Sequence, residues 1–348
     1  MPTGQPWPEA DELFRRDDAW LGTDDAYSVP LGGDRTLWLF GDTFLGARSA
    51  GRRAAGFVAN TVGVQTGLDP SSATVERWPI EPSMGPMFPT DEPAEWLWPL
   101  DGVRVGDSLL VFLMRVRSSR PDLPSGAEAW AAEGSLGFFD VVGTAARLVS
   151  NPDSSPAQWR PVTLGMPETA GAALGTALLV DGDHLLAWAE RSGHALLARW
   201  PVREVAAGEI GRPDWWCGDQ GWQPDPTRAV AVIDEVPTEF TVHRHDAATL
   251  VLTQVGDPVG RGVVELRAAP RPEGPWSDPV RAYRPPETGR ADTIAYAGKA
   301  HPELTGGGLV VTYASIRLTR EATLADESVY FPRFARVDVD AVLGESGR

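Results

Sequence analysis

The chain has 348 residues and a formal net charge of −17, which argues against nucleic acid or an anionic membrane surface as a partner. A neutral ligand such as a sugar suits this charge better. Hydrophobic residues make up 42% of the chain and charged residues 23%, as in an ordinary globular protein, while 31 prolines and 37 glycines indicate many tight turns between short strands.

The first residues, "MPTGQPWPEADELFRR", are polar and acidic and lack the pattern of a signal peptide. The chain also has no run of 18 apolar residues that could span a membrane. These features predict a cytoplasmic protein, or a secreted one if a leader has been removed. The single cysteine, Cys217, excludes an intrachain disulfide, and its position beside Trp215 and Trp216 favours a structural thiol over a nucleophile.

Four short strands are predicted in the first part of the chain. Residues 26–31 and 36–44 flank a Gly-Gly-Asp turn, as in a β-hairpin, and residues 56–67 and 73–80 supply two further strands. Four antiparallel strands within some 60 residues are typical of one blade of a β-propeller.

The same theme recurs along the chain without clear sequence identity between the copies. Five units cover nearly all of it, at about 20–80, 96–165, 170–225, 236–284 and 292–340. We therefore predict an all-β, five-bladed propeller that forms a single domain over residues 1–348, with a β-sandwich as the alternative. Two segments, 126–134 and 202–210, are predicted to be short helical or loop inserts.

A carboxylate ends the hydrophobic strand "TLWLFGDTF". Alternation places Asp42 on the same face as Trp38 and Phe40, at the strand end where a propeller opens its central channel. Because the first two strands are antiparallel, Asp24 should lie close to Asp42. Two carboxylates in one funnel suit acid–base or nucleophile chemistry at an acetal carbon, since their mutual repulsion raises the pKa of one of them. Alternatively, Asp24 caps a turn and Asp42 binds backbone amides.

Further polar and aromatic residues stand where the other units open, which is what a site at a channel mouth requires. Glu239 is a candidate third carboxylate. The candidate substrate-binding residues are Asn60, Trp98, Asp101, Arg115, Tyr296, His301, Tyr330 and Arg333. Among the histidines only His243 and His245 have a metal-ligand spacing, and no phosphate-binding or dinucleotide-binding fingerprint occurs. We therefore assign no metal ligands and no cofactor, and the sequence does not exclude a metal in the channel.

Several stretches together resemble a known family. They are "DDAYSVPLGGDRTLWLFGDTFLG", "NTVGVQ", "WLWPLDG", "GPWSDP", "YAGKAHPEL" and "YFPRFARV", in this order from about residue 20 to residue 337. The chain resembles bacterial five-bladed propellers long classed as a domain of unknown function. Some members of that family are classed as glycoside hydrolases that act on D-arabinan in an endo mode. More distant relatives are propeller hydrolases of the arabinanase and fructosidase types.

The resemblance implies that Asp24 and Asp42 are the catalytic carboxylates, although Asp25 replaces the glycine that usually follows the first acid. It also implies that six residues line the funnel: Asn60, Trp98, Glu239, His301, Tyr330 and Arg333. The expected function is a glycoside hydrolase that acts on an arabinan-like furanoside or a related glycoside. The alternatives are an intracellular cyclase, lyase or isomerase of a small molecule, and a sugar-binding propeller without catalysis. Neither the substrate nor the oligomeric state follows from the sequence.

Overall fold

The structure, a computed structural model, describes residues 4–119, 139–256 and 262–345. Its first blade is built on the hairpin of β2 (Trp20–Gly32) and β3 (Arg35–Leu45), which turns at Gly32 and Gly33 with φ of 97° and 63°. The other strands of this blade are β4 (Gly56–Val58), β5 (Thr61–Thr66) and β6 (Thr74–Trp78), in the order β2-β3-β5-β6 with β4 paired to the end of β3. Left-handed φ values favour glycine, so this turn is encoded in the sequence.

The next three blades repeat the antiparallel arrangement. Blade two contains β7 (Glu95–Val105), β8 (Ser108–Ser118), β9 (Phe139–Val149) and β10 (Val162–Thr163). Blade three contains β11 (Ala173–Asp181), β12 (His184–Arg191), β13 (His194–Pro201), β14 (Asp214–Trp216), β15 (Trp222–Gln223) and β16 (Ile233–Asp234). Blade four contains β17 (Phe240–Arg244), β18 (Leu250–Gly256), β19 (Val263–Ala269) and β20 (Val280–Tyr283).

The fifth blade joins both ends of the described chain. Its strands β21 (Thr293–His301), β22 (Leu309–Arg317) and β23 (Arg333–Val337) pair in sequence order, and β1 (Gln5–Pro6) adds the outermost strand beside β23. The first strands of the five blades, β2, β7, β11, β17 and β21, pack against one another in a closed ring. The prediction of a single-domain, five-bladed β-propeller is therefore confirmed.

The described helices are short, and all but the last lie between strands. They are α1 (Pro8–Asp11), α2 (Val202–Ala206), α3 (Arg320–Ala325) and α4 (Val339–Glu345). Turns of 3₁₀ helix occur at Arg48–Ala50, Arg52–Ala54, Pro82–Met84, Pro156–Gln158, Gly218–Gln220, Pro226–Arg228 and Pro286–Gly289. The predicted insert at 202–210 begins with α2, and the one at 126–134 lies outside the described residues. Within the described ranges, no helix has the length and apolar character needed to cross a membrane.

An aromatic cluster seals the junction between the first and last blades. The ring of Phe14 lies 5.1 Å from those of Trp38 and Phe40 and 5.6 Å from that of Phe334, and all four side chains are buried. Aromatic pairs in this range add to the free energy gained from burial alone. The cluster therefore ties the segment before the first blade to both of its neighbours.

Candidate active site

The innermost strand of blade one is bulged at its acidic residues. The register with β3 shifts on both sides of Asp25, and Asp25 and Ala26 have φ of 64° and 80°. Such values cost on the order of 1–3 kcal/mol each in residues other than glycine, and they persist where the surroundings determine them. The strain at this point of β2 therefore indicates that the bulge is held in place by its contacts.

Gly41 leaves room for two carboxylates. A Cβ atom at this position would lie 2.6 Å from Oδ1 of Asp24 and 2.6 Å from Oδ2 of Asp25. The two carboxylate oxygens therefore lie within twice that distance of each other, beside the residue that precedes Asp42. In the "GD" pair of "WLFGDTFLG", Asp42 thus supplies an acid, and Gly41 leaves the space that the carboxylates of Asp24 and Asp25 occupy.

Asp24 is half-buried and bonded to two tyrosines. The hydroxyl groups of Tyr296 and Tyr330 donate to its Oδ2 atom at 2.9 Å and 3.2 Å. Burial and the negative charge of Glu239 raise the pKa of Asp24 to about 7, against the opposing effect of the tyrosine hydrogen bonds. Asp24 can therefore gain or lose a proton near neutral pH.

A buried array lies next to this acid. The Lys299 ammonium is fully buried, lies 3.3 Å from Oε1 of Glu239 and sits 4.0 Å from the centre of the Tyr27 ring. Burial acts to raise the pKa of Glu239, but the charge of Lys299 and a hydrogen bond with Asp25 outweigh it and lower this pKa. Burial and the charge of Glu239 raise the pKa of Asp25 well above its ordinary value. A neutral Asp25 therefore donates to an ionised Glu239.

Asp42 is held at the boundary between blades one and two. Its Oδ1 atom accepts a hydrogen bond of 2.7 Å from the indole Nε1 of Trp98, which is itself half-buried. The Asp42 carboxylate is 4% exposed and contributes to raising the pKa of Tyr330, after burial and Asp24. Asp24 and Asp42 both raise the pKa of Tyr330, and Glu239 raises that of Asp24, so the three acids lie near one another.

Two other predicted residues lie among the inner strands. Asp101 accepts the backbone N–H groups of Gly102 and Leu178 at 2.8 Å each, and burial raises its pKa to about 7. His301 is fully buried between the hydroxyl groups of Ser28 and Thr312, at 2.6 Å and 2.8 Å. Burial, followed by the charge of Lys299, lowers the pKa of His301 to about 3, so its imidazole is neutral at ordinary pH.

Three predicted residues make supporting contacts instead. The buried Asn60 amide bonds the backbone of Phe88 and Leu97. Arg115 lies on the second strand of its blade and forms a two-pronged pair with Glu95, with N···O distances of 2.9 Å and 3.0 Å. Arg333 donates to Asp11 at 2.9 Å, which ties the end of α1 to β23.

Sequence reasoning placed Lys299 among the polar candidates at the opening of the fifth unit without a specific role, and it gave no role to Asp25 or Gly41. Lys299 stood in the quoted "YAGKAHPEL", and Asp25 was noted only as a departure from the expected glycine. The sequence signal that could have identified the array was a lysine within an apolar strand, because a buried lysine requires an acidic partner nearby.

Among the residues that the structure describes, no three metal-ligating side chains converge on a point. His243 is buried, and His245 instead pairs with Asp340 at 3.2 Å.

Comparison with known structures finds propellers of similar fold. A candidate hydrolase from Bacteroides ovatus ATCC 8483 superimposes with a TM-score of 0.72 at 16% identity, over 99% of this chain and 92% of that one. An exo-β-1,3-galactanase from Phanerochaete chrysosporium, solved with β-1,3-galactotriose, gives a TM-score of 0.50 at 11% identity over 96% and 63%. An exo-1,5-α-L-arabinanase from a bovine ruminal metagenomic library gives 0.43 at 11% over 92% and 94%.

At these identities the likeness shows the fold alone. No curated protein matches the sequence significantly. The family described as a domain of unknown function, DUF5005, matches residues 9–339, which is nearly the whole chain. The protein belongs to the DUF5005 family.

Proposed function

We propose that the protein is a glycoside hydrolase whose site is the mouth formed by Asp24, Asp42 and Glu239. The observation that carries the proposal is the environment of Asp24, a half-buried carboxyl group with a pKa of about 7 beside an ionised Glu239. Carboxyl groups whose surroundings push their pKa values apart are the usual means by which one site supplies both an acid and a base.

In the proposed reaction Asp24 is the general acid. It passes its proton to the glycosidic oxygen as the bond to the anomeric carbon breaks. Asp42, fixed by the Trp98 indole, either activates a water molecule or attacks the anomeric carbon itself. The negative charge of Glu239 raises the pKa of Asp24 and so keeps it protonated. The same charge stabilises the positive charge that develops on the sugar in the transition state.

The proposed substrate is a furanoside, and an arabinan-like chain is the preferred candidate. Its support is the sequence resemblance to D-arabinan-cleaving propellers, together with the half-buried ring of Trp98, which offers an apolar face to a sugar. The fold shared with the β-1,3-galactanase is compatible with a carbohydrate substrate and does not select among sugars.

The test measures sugar release by the purified protein from D- and L-arabinofuranosides, arabinan, fructan, xylan and β-1,3-galactan. We expect activity on at least one furanoside, and a loss of about 100-fold or more in Asp24→Asn and in Asp42→Asn. Asp219→Asn, at an exposed position, is the matched control and should keep full activity. Absence of release from every substrate, or an active Asp42→Asn protein, contradicts the proposal. The anomeric configuration of the first product decides between the two roles of Asp42.

A further inference from the structure

Two tyrosines from separate parts of the fifth blade meet at one oxygen atom. Tyr296 lies on β21 and Tyr330 lies between α3 and β23, yet both hydroxyl groups donate to Oδ2 of Asp24. The other oxygen, Oδ1, is the one that faces Gly41. The two oxygens of this carboxyl group therefore have different surroundings.

Tyr330 is placed rigidly. It has φ of 62°, its backbone N–H donates to the carbonyl of Ser315 at 2.8 Å, and its carbonyl accepts from Thr23 N–H at 2.8 Å. Its side chain is 1% exposed and packs edge-on against Phe44, with ring centres 5.5 Å apart. A side chain with so little exposed surface contacts Asp24 and not a sugar in the channel.

We propose that Tyr296 and Tyr330 are positioning residues that hold Asp24 in one orientation and reserve its Oδ1 atom for the proton passed to the leaving group. The inference rests on the proposed function, in which Asp24 is the general acid. Both hydroxyl groups donate, so Oδ2 must accept, and a neutral carboxyl group then carries its proton on Oδ1. This separates the pair from the substrate-binding role predicted for them from the sequence.

The proposal also defines what happens during the proton transfer. As the proton leaves Oδ1, the electron pair of the broken C–O bond moves to the glycosidic oxygen, which takes that proton, and Asp24 becomes a carboxylate. The hydrogen bonds from the tyrosines then end on a charged group and strengthen, which favours the transition state over the ground state. The other ionisable groups around Asp24 and Tyr330 include Asp25 on β2, Asp42 on β3, Glu239 before β17, and Arg52, whose guanidinium interacts with Tyr330.

The experiment compares wild type with Tyr296→Phe and Tyr330→Phe. We expect kcat to fall by about 10- to 100-fold with KM little changed, since each variant loses a hydrogen bond to a developing charge. Loss of a donor raises the pKa of Asp24, so the pH at which activity declines on the alkaline side should move upward in both variants. Tyr313→Phe is the matched control, because its hydroxyl group donates to another carboxylate, Glu287, at 2.9 Å.

If the wild type is active, two results would overturn the inference. A raised KM with an unchanged kcat and pH profile would make the tyrosines substrate ligands. Complete inactivity of Tyr296→Phe, together with a sugar trapped covalently on Tyr296 in the wild type, would make this residue a nucleophile.

If the wild type cleaves no glycoside, the proposed function fails. The positioning role is then tested by NMR titration of labelled aspartate carboxyl carbons, with Asp24→Asn identifying the signal. An Asp24 pKa that does not rise in either Phe variant overturns it.

Discussion

Gly41 has room for a hydrogen atom where any other residue would place a carbon. Since a Cβ atom would lie 2.6 Å from an oxygen of Asp24 and from one of Asp25, both carboxyl groups must move if the residue is enlarged. We expect Gly41→Ala to fold but to lose at least about tenfold in kcat/KM, because small displacements of catalytic groups are costly. Gly211→Ala, where a Cβ atom meets open space, is the control. Full activity of Gly41→Ala would show that the crowding at this residue is unimportant.

The charge of Glu239 should be visible in the pH profile. Because this charge raises the pKa of Asp24, Glu239→Gln lowers that pKa below its value of about 7. The general acid is then deprotonated at lower pH, so the alkaline decline of kcat/KM should move to lower pH, whatever the residual rate. Glu76→Gln, at an exposed position on β6, should leave the profile in place. A decline that stays at the same pH in Glu239→Gln would contradict this coupling.

At the residue scale, the sequence indicated acids more readily than their environments. Asp24 and Asp42 stood out because a carboxylate at the end of an apolar strand is costly unless it is bonded. The bulge that turns Asp25 toward Gly41 could not be predicted in this way, because the alternation of inward and outward side chains assumes a strand without bulges. The contacts of Asn60, Arg115 and Arg333 could not be predicted either, because their partners are distant in the sequence. Asn60 bonds to Phe88 and Arg333 to Asp11, and no local sequence pattern identifies such partners.

The segment that carries Tyr330 depends on one buried arginine. The Arg52 guanidinium donates to the carbonyl groups of Leu21, Thr323, Asp326 and Val329 and is 3% exposed. It therefore links the start of β2 to the chain from α3 to Tyr330. The strand that carries Asp24 and the segment that carries Tyr330 are thus tied to this one side chain.

We expect Arg52→Met to lower the free energy of unfolding by at least about 3 kcal/mol, because several buried carbonyl groups lose their donor together. Chemical denaturation measures the change. Arg53→Met is the matched control, since this neighbouring side chain is exposed and pairs with the exposed Glu321 on the surface. Equal denaturation midpoints for the two variants would contradict the role given to Arg52.

At the element scale, strands were predictable where two local signals agreed. The hairpin of β2 and β3 combines apolar runs with glycines at left-handed φ, and both signals are local. The pairing of β1 with β23 was not predictable, because a two-residue strand has no periodicity and its partner lies at the far end of the chain. The blade-five assignment from sequence accordingly began at about residue 292 and omitted Gln5–Pro6.

At the scale of the whole molecule, the ring closes where the fifth blade packs against the first. Phe14 is fully buried there between aromatic rings of the first and last blades. We expect Phe14→Ala to cost about 3–5 kcal/mol in the free energy of unfolding, measured by chemical denaturation, because the cavity opens between two blades. Val162→Ala, at an exposed position on β10, should be close to neutral. A loss in Phe14→Ala no larger than this control would mean that ring closure does not depend on the cluster.

Ring closure has a consequence for the protein during its synthesis on the ribosome. Asp24 is translated early, but Tyr296 and Tyr330 follow it by 272 and 306 residues. The acid thus cannot acquire its tyrosine partners until nearly the whole chain has emerged and β23 has met β1. The two-tyrosine environment of Asp24 therefore appears only after the fifth blade has been synthesised and has joined the first.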